Sequence, residues 1–125
     1  MVKAIVSAIV GLIVIVTASF LETSYLQKTF SEINEPLKII YEKTKDELTT
    51  EEEIVAIQKT WFSKKEKLHM FIPHNEIKEV DLWLSEAVTL IKNQDYKEAL
   101  YKIEVTINLI EQISKTFSFR IENIL

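Results

Sequence analysis

The stretch AIVSAIVGLIVIVTASFL, Ala4 to Leu21, decides how the rest of the chain is read. It carries no charge, opens directly behind Lys3 and closes at Glu22. As a helix rising about 1.5 Å per residue it reaches about 27 Å, close to the roughly 30 Å hydrocarbon thickness of a bilayer. The expectation is a membrane span at residues 1–22, with the bilayer itself as the first partner. Val16-Thr17-Ala18 also places short residues where a signal peptidase reads, so cleavage after Ala18 and secretion is the alternative. The uncleaved anchor is preferred because Phe20 and Leu21 prolong the run, and Leu26, Phe30 and Ile33 continue the helical period beyond it. Lys3 and the α-amino group form the basic flank and Glu22 begins the other side. The positive-inside rule then puts the N-terminus in the cytoplasm and residues 23–125 outside, in a single-pass protein of the cell membrane.

Within the run, Ala4, Ala8, Gly11 and Ala18 fall on one helix face. Small residues let a second helix approach closely, so these four form a candidate packing face for a partner span or for self-association. The competing reading is that they simply face lipid.

Beyond the run about a hundred of the 125 residues remain, enough for one small domain. The chain has 15 basic and 19 acidic residues, and only Lys3 precedes the run, so the water-facing part is mildly acidic. Arg120 is the only arginine and the lysines alternate with Glu, which excludes a nucleic-acid partner and describes solvated helix faces. The one glycine is Gly11, the prolines are Pro36 and Pro73, and there is no cysteine. Sheets and long loops need more turn residues than this, so the fold class is all-α. Without cysteine there is no disulfide, thiolate metal site or lipid-modified thiol.

The apolar positions Leu26, Phe30, Ile33, Leu37, Ile40 and Leu48 make a seam interrupted by Thr44, which continues the span into a stalk. Pro36 should kink this helix or open a fresh one. Thr50 and Glu53 spell a capping box, so helix two begins near Glu51. Its seam is Ile54, Ile57, Trp61 and Leu68, and it ends in Phe71-Ile72-Pro73. His74 or Asn75 should cap helix three, with Ile77, Val80, Leu84, Ala87 and Ile91 on its seam and Trp83 and Leu90 widening the apolar face. After a turn at Asn93-Gln94, Asp95 and Glu98 make a second capping box. Helix four then carries Ala99, Ile103, Ile107, Ile110 and Phe117 toward a tail, Ser118 to Leu125. An up-and-down antiparallel bundle of three to four helices follows, closing around Trp61, Leu84, Ile103 and Leu37.

Chemistry is hard to find in this pattern. Glu66-Lys67-Leu68-His69 has the Glu-x-x-His spacing of di-iron bundles, but the required second copy is missing and Glu66 lies in a Lys-Lys-Glu-Lys run. His74 reads as a turn residue. No Gly-rich phosphate loop, nucleophile elbow or paired-carboxylate cleft is present, so no catalytic residue, cofactor or metal is expected and the chain is read as a non-enzyme. Trp61, Trp83, Tyr96 and Tyr101 read as core packing more than as an aromatic binding surface.

The layout as a whole resembles the bacterial domain of unknown function family 4363, small N-terminally anchored helical proteins of clostridia and their relatives. The likeness covers nearly the full chain. It is carried by the anchor with its stalk, Trp61 in helix two, His74-Asn75-Glu76-Ile77, Asp95-Tyr96-Lys97-Glu98-Ala99 and the closing Glu122-Asn123-Ile124-Leu125. Pro36 and the turn Thr49-Thr50-Glu51-Glu52 depart from the pattern. The resemblance implies no activity, and as partner it implies a YetF-type membrane protein. The expected role is that of an accessory or scaffold protein at the membrane, the alternative an extracytoplasmic module that senses a small ligand or ion.

Overall fold

The computed structural model describes the backbone of residues 1–124 and the side chains of residues 1–117. Among these described residues four helices form and no strand: α1 (Val2–Lys45), α2 (Glu51–Leu68), α3 (His74–Lys92) and α4 (Tyr96–Ile124). Short turns at 46–50, 69–73 and 93–95 force each helix antiparallel to the one before it. α1 lies against α2 and α4, and α3 against the same two. The pairs α1/α3 and α2/α4 therefore occupy the diagonals of a square, up-and-down four-helix bundle.

Each seam read from the sequence, Leu48 excepted, points into this square. Leu37, Trp61, Leu84 and Ile103, one from each helix, are almost wholly excluded from solvent. Val88, Ile113 and Thr106 are buried as well and were not on the expected seams. Trp61 keeps its indole N–H satisfied by donating to Asp81 Oδ1, while Asp81 Oδ2 accepts from Lys65 Nζ at 3.0 Å. That bridge lets a large ring enter the core without stranding a donor. Around the perimeter Lys38–Glu111, Lys43–Glu53, Lys64–Glu32, Lys92–Glu51 and Lys102–Glu86 join neighbouring helices. The alternating Lys and Glu thus lace adjacent faces, each pair contributing about 0–1 kcal/mol.

Four expectations need correction. α1 passes Pro36 unbroken, so no fresh helix starts there: Ile33 and Leu37 are fully buried on either side, and keeping them in phase outweighs one lost backbone bond. Leu48 does not continue the seam and is 64% exposed. The helix stops at Lys45 and Glu47 adopts φ 57, which rotates Leu48 outward. Thr44 fills the seam instead, its hydroxyl donating to Ile40 O at 2.7 Å and lying 2.7 Å from Thr49 Oγ1. The stretch expected as a tail is a continuation of α4 to Ile124; whether its side chains dock on the bundle lies outside the described residues. Finally, neither His74 nor Asn75 caps α3: His74 is its first residue, Pro73 stands at the N-cap, and no described side chain caps that end.

The turns at 46–50 and 93–95 are built alike. Leu48 N–H donates to Lys43 O and Glu47 N–H to Thr44 O; Asp95 N–H donates to Leu90 O and Gln94 N–H to Ile91 O. Both are Schellman motifs, in which the penultimate position needs a left-handed residue. With no glycine available, Glu47 and Gln94 take that conformation, each at φ 57. The capping box of Thr50 and Glu53 closes in both directions, and Asp95 Oδ1 accepts from Glu98 N–H at 3.4 Å, the N-cap half of the second box.

Candidate membrane-facing surface

α1 changes character along its length. From Leu26 to Thr44 it buries one face against α2 and α4, whereas none of its most apolar 18-residue window is buried. Ile5, Val6, Ile9, Leu12, Ile13, Phe20 and Leu21 are all exposed, on every side of the helix. A helix that is apolar all round needs a covering of lipid or protein, because such a patch far exceeds the few hundred Å² a monomer leaves bare in water. By length and composition this half is compatible with a membrane anchor or a signal sequence.

Ala4, Ala8, Gly11 and Ala18 are exposed along this half. Nothing described lies within 4 Å of the place a Gly11 Cβ would occupy. Their phase is informative. Ala8 precedes Leu26, and Gly11 precedes Thr29, by five turns of about 3.6 residues, and Leu26 and Thr29 are both buried in the bundle. The small-residue face therefore sits on the side of α1 that the bundle occupies further along.

The remaining sequence candidates disperse. Glu66 and His69 are exposed, and no group of three metal-ligating side chains occurs among the described residues. His69 and His74 stack with ring centroids 5.3 Å apart. Of the four aromatics, Trp61 lies in the core and Tyr96 packs against it, while Trp83 and Tyr101 meet edge to face at 6.3 Å on the surface with Lys102 above the Trp83 ring. The core-packing reading holds for the first two and fails for Tyr101.

One feature escaped the sequence reading. Asn34, only 6% exposed, donates from Nδ2 to Ile107 O at 3.2 Å, and its Oδ1 has no hydrogen-bond partner among the described residues. It lines a groove of about 320 Å³ between α1 and α4, with Gln27, Ser31, Lys38, Glu111 and Ser114. A single polar residue one step off the seam gives no signal in the sequence until α4 is placed against it.

The Glu53 carboxyl is held below the usual glutamate range by Lys43 and by the Thr50 backbone N–H. It belongs to the capping box and the α1–α2 ion pair, and its shift is structural.

A family model, Domain of unknown function (DUF4363), matches residues 20–124. The chain belongs to this family. The DUF4363 match covers the four-helix bundle and begins where the exposed apolar half of α1 ends. Neither the curated proteins nor the solved structures offer a match to the chain.

Proposed function

We propose that this DUF4363 member is a single-pass membrane accessory protein rather than an enzyme. Residues 1–22 cross the bilayer with the N-terminus in the cytoplasm, and residues 23–125 hold an extracytoplasmic bundle against another membrane protein. The observation that carries the reading is the fully exposed apolar half of α1, joined without a break to a helix of the bundle core. A signal peptide would have to be cut after Ala18 in the middle of that helix, which favours the uncleaved anchor. The small residues add the contact: a partner span packed on Ala4, Ala8, Gly11 and Ala18 would lie directly beneath the bundle, so one protein could meet both. The family resemblance makes a YetF-type protein the first partner to test, with self-association as the other arrangement.

The test is gentle detergent extraction of tagged wild-type and Gly11→Leu protein, with co-purifying proteins quantified by mass spectrometry. A multi-span protein in constant ratio to the wild type, lost with Gly11→Leu while bundle unfolding is unchanged, supports the proposal. Protein that emerges as a monomer with no partner, or in the medium cut near Ala18, overturns it.

A second reading rests on Asn34 alone. Its unpartnered Oδ1 beside the α1–α4 groove could accept a hydrogen bond from a small polar ligand or coordinate an ion. Thermal unfolding of the full-length protein against panels of metal ions and polar metabolites tests it; absence of any shift that Asn34→Leu abolishes would end that reading.

A further inference from the structure

We propose that the α2–α3 turn is a second membrane contact, lying in the interfacial layer of the bilayer with Met70 and Phe71 as the inserted side chains. This rests on the anchor reading of α1.

The position of the turn comes first. Tyr25 is four residues past Leu21, about 6 Å along the helix axis. Helical side chains lean toward the N-terminus, so its ring covers the turn of α1 near Leu21. Phe71 meets that ring with centroids 6.2 Å apart. The α2–α3 turn therefore stands level with the end of the apolar run. A bilayer of about 40–45 Å with a core of about 30 Å leaves roughly 5–8 Å of headgroup layer on each side, and the turn falls within it.

Composition agrees with position. The turns at the far end carry Asp46, Glu47 and Asp95, followed by Glu51, Glu52, Glu53 and Glu98 in the first turns of their helices. Lys67 to Asn75 contains no acidic residue and reads Lys-Leu-His-Met-Phe-Ile-Pro-His-Asn. Ile72, 2% exposed, fixes this turn to the core, whereas Met70 is 79% exposed and Phe71 is partly covered by Tyr25. Leu21, one turn before Tyr25 on the same side of α1, is exposed as well. Lys64 and Lys65 rim it one to two turns up α2, bonded to Glu32 and Asp81, with Lys67 exposed nearer the turn and the stacked His69 and His74 at its edge. Glu66 and Glu76 lie outside the turn on either side. An apolar tip with cationic and aromatic flanks matches the chemistry of the interface, where long basic side chains reach headgroups and rings sit at the boundary.

Two contacts do what one cannot. A single spanning helix leaves the bundle free to rotate about the α1 axis; a second contact at the turn fixes which helices face along the membrane.

The chain has no cysteine, so single substitutions can be labelled cleanly. Full-length Met70→Cys, Leu48→Cys and Ile13→Cys proteins, each carrying an environment-sensitive fluorophore, are reconstituted into phosphatidylcholine–phosphatidylglycerol vesicles with nitroxide on the headgroup or at mid-chain. The expected result is a blue-shifted Met70 probe with several-fold stronger headgroup quenching than the Leu48 probe, and an Ile13 probe quenched from mid-chain. With Ile13 in lipid, a Met70 probe as water-exposed as Leu48 overturns the turn contact alone. A Met70 probe that is shifted but unquenched places it against protein and overturns the lipid assignment. An Ile13 probe that escapes mid-chain quenching overturns the anchor reading and this proposal with it.

Discussion

The two halves of α1 are one continuous helix, yet the fold covers only one of them. Between Leu26 and Thr44 the apolar residues recur every three or four positions and every one of them but Ile39 is buried or half-buried. Between Val2 and Leu21 they fill the whole circumference and are exposed. The first half can gain nothing by turning a face inward, because it has no polar face to turn outward. Burial in the bundle half comes from neighbouring helices, and the covering of the apolar half must come from outside the fold.

The strongest way to break this comparison is to place the same charge in each half. Ile33→Asp, at a fully buried position, should unfold the bundle and leave the protein in the membrane fraction. Ile13→Asp should do the reverse: a carboxylate at mid-span costs about 2.5–3.5 kcal/mol of insertion, so carbonate-resistant membrane retention falls while the bundle stays folded. Bundle unfolding by Ile13→Asp would mean that the apolar half belongs to the core after all.

A milder pair sharpens the contrast. Leu37→Ala should cost about 2–5 kcal/mol in denaturant unfolding of the full-length protein in micelles, as large-to-small core changes do. Leu12→Ala should leave that transition where it was. Equal effects would erase the distinction.

Smaller effects test the far end of the bundle half. Gln94 pays for a left-handed backbone that glycine adopts freely. Gln94→Gly should therefore stabilise the bundle by up to about 1 kcal/mol, read as a raised unfolding midpoint, with no change in membrane retention. Glu53 gives the smallest expected change. Its folded pKa is depressed, so its contribution is complete above the ordinary glutamate value of about 4.3 and is lost as pH falls through the lower folded value. Glu53→Gln should flatten the acid limb of the stability curve there; an unchanged limb would show that the Lys43 pair contributes nothing.

Much of the bundle was legible because seams, capping boxes and turns are local. Thr50 with Glu53 announced the start of α2, and Ile77 through Ile91 announced the buried face of α3. The errors have separate causes. Leu48 kept the spacing of its seam, but a left-handed Glu47 broke the phase, and non-glycine residues give no warning of that conformation. Pro36 allowed a kink or a fresh helix, and the burial of Ile33 and Leu37 in one phase excluded the fresh helix. Of the candidate surface, the apolar span and its small residues were readable from spacing. Asn34 was not, because its meaning depends on Ile107 lying opposite, and such pairings are invisible until helices are placed.

By itself the sequence determined that the chain is all-helical, that eighteen consecutive uncharged residues have no use for water, and which face of each later helix is apolar. These follow from periodicity and transfer energies that act over one or two turns of chain. Only the tertiary structure decided that α1 and α3 stand on one diagonal of the bundle and α2 and α4 on the other, that Ala8 and Gly11 share the phase of the buried Leu26 and Thr29, and that Phe71 packs on Tyr25 one turn past Leu21. Those facts depend on the length and register of four packed helices, where one residue of slip would turn each face through about 100°.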